Sequence, residues 1–169
     1  MTPPAIGRAE IRALNAAHHL DRVQDLFDRA ADYWTLANGR PPDQATAAGY
    51  FAEGPPGYDP ARSHHLGLSL DGHLVGVAEL SFGFPEVDAA YLGLMILDPV
   101  WRGQGLGRLL LARAESLARA AHAPHLYLGV LQANPRGRAF WQAQGFAPTG
   151  LSGLDADTGH LLHRLVKKL

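Results

Sequence analysis

One stretch constrains this chain more than any other: Leu94-Met95-Ile96-Leu97-Asp98-Pro99-Val100-Trp101-Arg102-Gly103-Gln104-Gly105-Leu106-Gly107-Arg108. Ala90–Leu97 is apolar almost throughout, which predicts a central strand buried on both faces. Asp98-Pro99 ends it, three glycines follow, and residues 106–121 carry the strongest helical pattern in the chain. Leu106, Leu109, Leu110, Leu117 and Ala121 form the apolar stripe of that helix. Glycines let the backbone turn sharply and approach a ligand closely. The helix start offers unpaired N–H groups and a partial positive charge. Together they form an anion site that needs no excess of lysine. Any affinity for a phosphate-bearing ligand must come from such a local device, because 15 Lys and Arg stand against 16 Asp and Glu. A net charge of −1 gives no global field for gripping nucleic acid or an anionic membrane.

The remaining pattern surrounds this unit with strands and helices. Residues 9–14 read as a short strand, and residues 19–36 as a helix with Leu20, Val23, Phe27, Ala30 and Trp34 on one face. Asn38-Gly39-Arg40-Pro41-Pro42 breaks it, and a short helix follows over residues 43–52 with Asp43 placed to cap it. Residues 65–70 and His73–Phe82 flank Asp71-Gly72, a two-residue hairpin signal. His125–Leu131 is a further apolar strand, residues 135–144 a short helix, and residues 146–151 and 160–166 two final strands. This mixed order predicts a single α/β domain over residues 1–169 with a partly antiparallel sheet. With no cysteine, a disulfide framework, a thiolate zinc site and a cysteine nucleophile are all excluded. Residues 1–12 carry Arg8, Glu10 and Arg12 and no apolar leader stretch, and no apolar run reaches membrane-spanning length. A cytoplasmic location without a membrane or nucleic-acid partner is the expectation.

Several readings of the glycine turn compete. It can be a tight turn whose glycines serve packing alone. A P-loop lacks the Lys-Ser/Thr that should follow the last glycine. A dinucleotide-binding turn lacks the third-glycine offset and an acidic residue on His125–Leu131. The segment Arg102-Gly103-Gln104-Gly105-Leu106-Gly107 resembles the Arg/Gln-x-x-Gly-x-Gly/Ala signature of the GNAT acyltransferases. A second match lies downstream, from Leu126 through Asn134 to Phe140-Trp141 and Gly145-Phe146. The resemblance covers roughly residues 66–150.

The resemblance implies the acyl-CoA N-acyltransferase fold: a mixed, mostly antiparallel twisted sheet flanked by helices, with a central parallel strand pair that splays apart. It implies acetyl-CoA as co-substrate, no metal, and a small-molecule or peptide amine as acceptor, and leaves a homodimer open. Amides from Gly103, Gln104, Gly105, Leu106, Gly107 and Arg108 would meet the pyrophosphate, with Arg102 in the same signature. Main-chain groups of Met95, Ile96 and Leu97 would pair with the pantetheine arm, and Asn134 would contact the cofactor. Arg136 and Arg138 either reach outer phosphates or are simply solvated. Where many relatives place a proton-donating tyrosine this chain has Trp141, and where some place a glutamate base it has Gly129. Glu79, Glu86, Asp88 and Tyr91 are the replacement candidates, with Glu79 and Tyr91 carried as catalytic. Tyr33, Trp34, Tyr50, Phe51, Phe82 and Phe84 are either core or the wall of an acceptor pocket. Nine histidines supply no recognisable metal-ligand spacing. The expected function is an N-acetyltransferase acting by direct attack of an amine. A non-catalytic acyl-CoA sensor and a nucleotide-binding oxidoreductase are the rivals.

Overall fold

The computed structural model describes residues 5–169. The reading of residues 1–12 as free of a leader, and the first residues of the 1–169 domain, reach into positions outside the described residues. Seven strands form one sheet: β1 (Ala9–Ala13), β2 (His64–Leu70), β3 (His73–Phe82), β4 (Ala90–Leu97), β5 (His125–Leu131), β6 (Ala147–Leu154) and β7 (Leu161–Lys168), in the order β1-β2-β3-β4-β5-β7-β6. Every neighbouring pair is antiparallel except β4 and β5, which run parallel. The expected mixed α/β sheet with one central parallel pair is what the chain builds.

Five helices cover the two faces: α1 (Ala16–Arg29), α2 (Ala31–Asn38), α3 (Thr46–Ala52), α4 (Leu106–Ala120) and α5 (Pro135–Ala143). One core joins α4 to β2–β5 through Leu80, Leu110, Leu126 and Leu128, with Trp141 of α5 against it. The other joins α1 and α3 to β3 and β4 through Val23, Leu26, Phe27, Val77 and Ile96. Truncating a fully buried leucine such as Leu110 to alanine costs about 2–5 kcal/mol. Both faces of the sheet centre are therefore energetically fixed.

The expected single helix over residues 19–36 is two helices. Ala30, fully buried, leaves helical geometry at φ −95° and ψ 30° and joins α1 to α2. No proline or glycine marks the break. Arg29 holds it instead, donating from Nε to Asp98 Oδ2 at 2.7 Å and from Nη2 to the Leu74 carbonyl at 2.7 Å. Those two bonds tie the end of α1 to the sheet and redirect α2. Asp43 stands further from its helix than expected: α3 starts at Thr46, and the Asp43 carboxylate accepts from the Ala45 amide at 2.9 Å.

Candidate functional site

The expectation that β4 is buried on both faces fails at Gly93, which is exposed in mid-sheet. Glu79 faces Leu94 and Leu80 faces Leu92, so Gly93 is an extra residue, a bulge in β4. Bulges bend a strand and increase its twist. Beyond it, β4 departs from β5. The two strands pair only at Ala90↔Leu126, Tyr91↔Tyr127 and Leu92↔Leu128. From Gly93 on one side and Gly129 on the other, two unpaired strand edges face a V-shaped gap, and both glycines are exposed.

Antiparallel hydrogen bonding alternates along a strand. The Asp98 amide donates to Val75 at 2.8 Å, and Val77↔Ile96 and Glu79↔Leu94 lie in the same phase. Leu94 and Ile96 therefore turn their main-chain groups to β3. Met95 and Leu97 turn theirs to the gap. Of the three residues expected to pair with an extended arm, two present main-chain groups there and Ile96 does not. The Leu97 carbonyl already accepts from Arg102 Nε at 3.1 Å.

At the wide end of the gap stands the glycine turn. Gly103 and Gly105 have φ of 76° and 85°, the left-handed region that glycine enters without strain. A Cβ at either would meet nothing within 4 Å, so this backbone borders open space. Gly105 caps α4 without any side-chain bond, and the amides of Leu106, Gly107 and Arg108 in its first turn have no intrahelical partner. Gly107 serves packing instead, since its missing Cβ lets the Phe140 ring of α5 come within 3.2 Å of that point. Gln104 spends its side-chain amide on the Val100 carbonyl at 3.0 Å. Arg102 grips Asp32 of α2 at 2.5 and 3.1 Å, holding that carboxyl below its usual range. Its guanidinium thus braces the turn against α2. Arg108 is exposed. Asn134 caps α5, its Oδ1 accepting from the Gly137 amide at 2.9 Å, which leaves its side-chain NH2 free to donate. Arg136 is exposed and Arg138 half-buried on the same helix.

Beside the point where β4 and β5 part lies a cleft of about 820 Å³ whose lining includes Tyr33, Trp34, Glu79, Tyr91, Gly93 and Leu94. Glu79 is 4% exposed, and burial pushes its carboxyl up to about 7. Ser81 donates to its Oε1, and both this bond and one from the Gly93 amide partly offset the effect of burial. A Cβ on Gly93 would collide with Glu79 Oε2, so the bulge residue makes room for the carboxylate. Tyr91 sits where the strands part. A Cβ on Gly129 would come within 3.2 Å of its hydroxyl. Burial raises the Tyr91 hydroxyl pKa, while the nearby Arg164 guanidinium, stacked on Phe84 at 4.9 Å, pulls it down. Phe84 meets the Tyr91 ring edge-on at 5.1 Å.

The other candidates fall elsewhere. Glu86 accepts from the Tyr127 hydroxyl at 3.0 Å and Asp88 is exposed in the same loop; neither lines the cleft. Phe82 is core. Tyr50 shares the cleft wall, but its hydroxyl is committed to the Ala78 carbonyl at 2.9 Å. Among the described residues no three His, Asp or Glu side chains converge to hold a metal ion. No helix among them is long and apolar enough to cross a membrane. Sequence reasoning missed Ser81, Asp32 and Arg164. Ser81 was visible in principle, because it lies two residues from Glu79 on one strand face. Asp32 and Arg164 carry no such local signal.

Residues 23–146 match the sequence model of the Acetyltransferase (GNAT) family. The peptidyl-lysine N-acetyltransferase YjaB of Salmonella typhimurium is 33% identical over 73 residues, 43% of this chain and 47% of that protein. The chain thus matches about half the length of this curated relative. An acetyltransferase from Thermus thermophilus superposes with a TM-score of 0.75 at 25% identity, covering 97% of this chain and 99% of that one. The PaiA N-acetyltransferase of Thermoplasma acidophilum, solved with coenzyme A, shares the fold with a TM-score of 0.69 at 21% identity, covering 96% and 99%.

Proposed function

This chain belongs to the GNAT family of acetyltransferases, and we propose that it moves an acetyl group from acetyl-CoA to a primary amine by direct attack in a ternary complex. One observation carries this reading. The gap between β4 and β5 is bordered by a helix N-terminus with no side-chain cap and by a cleft holding a buried carboxyl beside Gly93. Phosphates suit the amides of residues 103–108, and an extended arm suits the main-chain groups of Met95 and the Leu97 amide that face the gap. The residues present therefore fit acetyl-CoA, which would supply the activated acyl group, with Asn134 as an added donor.

The chemistry asks for three things. An amine attacks a thioester only when neutral, so a base must take its proton. Glu79, its carboxyl raised by burial to about 7, is a stronger base than an ordinary carboxylate and faces the cleft. The oxyanion that develops needs a donor, and the Leu97 amide faces the gap. The departing thiolate accepts a proton, for which Tyr91 stands at the fork in place of the missing tyrosine at Trp141. The amine nitrogen adds to the acetyl carbonyl carbon, its proton goes to Glu79, and the carbonyl re-forms as the C–S bond breaks and the thiolate takes a proton from Tyr91. No cysteine is present to form an acyl-enzyme, which supports direct transfer.

A second reading, an acyl-CoA sensor without turnover, is favoured by Trp141 and Gly129 standing where relatives keep catalytic groups. Thiol release from acetyl-CoA with a panel of amines separates the two. Transfer predicts amine-dependent release whose kcat/KM falls tenfold per pH unit below about 7. Glu79→Gln should lower it about a hundredfold with CoA binding unchanged. CoA binding without amine-dependent release would sink transfer in favour of the sensor.

A further inference from the structure

Resting on the acetyl-transfer reading, with Tyr91 as its proton donor, we propose that Arg164 is a positioning residue for the reaction. Its guanidinium, carried on the Phe84 ring, steadies the phenolate that Tyr91 becomes as it gives its proton to the departing thiolate. Tyr91 and Tyr127 are paired across β4 and β5, and Gly129 and Arg164 across β5 and β7. Tyr127 and Gly129 lie two residues apart on one strand, so all four positions share one face of the sheet. Ser81, two residues from Glu79, is paired with Tyr91 on that same face. The Tyr91 ring leans along its strand toward Gly129, where a Cβ would come within 3.2 Å of the hydroxyl. Gly129 is also the first residue of β5 without a β4 partner. The hydroxyl therefore stands at the fork, in space that a larger side chain at this position would take.

Arg164 starts beside that space, because directly opposed residues of an antiparallel pair hold their Cβ positions about 5 Å apart. Its guanidinium carbon lies 4.9 Å from the centroid of the Phe84 ring, and that ring meets the Tyr91 ring edge-on at 5.1 Å. A planar guanidinium stacks on an aromatic face in this way. Phe84 thus packs against both groups and fixes one relative to the other. Among the described residues Arg164 joins no ion pair. A cation matched by a carboxylate presents little net charge to its neighbours, whereas the charge of Arg164 reaches the Tyr91 hydroxyl.

The proton balance of the step gives this arrangement its use. The amine adds to the acetyl carbon and gives its proton to Glu79. The carbonyl re-forms as the C–S bond breaks, and the thiolate takes the Tyr91 proton, which leaves a phenolate at the fork. When the products depart, the phenolate regains a proton and Glu79 releases one to solvent. A fixed cation beside the phenolate lowers the cost of forming it. The surrounding groups do not supply that cation. Tyr33 on α2 is kept neutral by burial, and Tyr127 on β5 is bonded to Glu86. Arg40 lines the outer cleft with Asp43, Glu53, Asp155 and Asp157. Of the charges that act on the hydroxyl, Glu79 disfavours its ionisation and Arg164 favours it.

The test is a kinetic double-mutant cycle of Arg164→Gln and Tyr91→Phe. It is read as kcat with acetyl-CoA and whichever of butylamine, phenethylamine and a lysine peptide turns over fastest. Arg164→Gln should lower kcat about tenfold with CoA affinity unchanged, and should cost nothing further once Tyr91→Phe is present. Arg164→Lys, which keeps the charge, should recover most of the loss. In Arg164→Gln the alkaline limb of the kcat profile should move to higher pH, while the acid limb set by Glu79 stays near 7. The ultraviolet titration of Tyr91, taken as the difference from Tyr91→Phe, should move the same way and requires no turnover. Equal losses from Arg164→Gln in both backgrounds, or a Tyr91 titration that does not move, overturn the proposal and leave acetyl transfer standing. Parent-like turnover by Tyr91→Phe removes the tyrosine as donor and this inference with it, again with acetyl transfer standing. If Arg164→Gln does not fold, Phe84→Leu removes the ring that carries the guanidinium and is read in the same cycle, with the same outcomes. Absence of turnover by the parent on every amine, with CoA still bound, overturns the acetyl-transfer reading and this inference together.

Discussion

Replacing Glu79 with glutamine should make the protein more stable while making it a poorer enzyme, and the gain should depend on pH in a defined direction. The carboxyl moves from an ordinary 4.5 in the unfolded chain to about 7 in the folded one, chiefly because burial penalises its charge. Between those values the folded state holds a proton that the unfolded state has lost, so stability falls as pH rises. Each pH unit corresponds to about 1.4 kcal/mol, so above pH 7 the ionised carboxylate costs the fold about 3 kcal/mol. Glutamine carries no charge; its carbonyl still accepts from Ser81, while its NH2 meets the Gly93 N–H, a cost that does not change with pH. From pH 4.5 to pH 8 the variant should therefore gain about 3 kcal/mol on the parent, a relative rise of roughly 6–12 °C in Tm. Urea unfolding of both proteins from pH 4.5 to 8 reads the difference directly. His64 and His65, whose imidazoles burial holds below their usual range, titrate in the same window. They are common to both proteins and cancel. A stability difference that stays flat across this range would refute a strained, buried carboxylate at Glu79.

Two further outcomes probe the turn and the scaffold. Gly105→Ala forces a side chain into φ +85°, at a backbone cost of about 1–2 kcal/mol, and projects it into the space beside the α4 N-terminus. CoA affinity by calorimetry should fall at least about tenfold, or 1.4 kcal/mol; a parent-like Kd would remove the turn from the phosphate site. Lys167→Ala leaves Glu115, 7% exposed, with Arg119 at 3.4 Å in place of an ammonium at 2.5 Å. Urea unfolding should register a loss of about 2 kcal/mol, and a loss no larger than that of a surface pair would show that the carboxylate is well solvated.

Much of the cofactor end was legible because its causes are local. Asp98-Pro99 stops a strand, Gly103 and Gly105 permit a positive φ, and Leu106 onward is periodic, all within one short stretch. The acceptor end was poorly legible. Glu79 stood out as a charge in an apolar strand, but nothing in its neighbourhood predicted how its carboxyl is held. The break at Ala30 was invisible because it is fixed by Arg29 reaching Asp98 and Leu74, not by a breaker residue. Gly93 read as one more apolar position in a buried strand until the register with β3 made it a bulge.

The sequence by itself determined the family, the mixed α/β order and the anion-receptive turn, because strand period, helix period and glycine conformation are encoded residue by residue. Only the tertiary structure decided that β4 and β5 part after three paired positions, leaving Met95 and the Leu97 amide facing a gap rather than a neighbouring strand. It alone brought Asp43, Glu53, Glu79, Asp155 and Asp157 around one cleft. The physical reason is separation along the chain. Those carboxylates span residues 43–157, and their shared field exists only after the sheet has set its register and closed the distance between them.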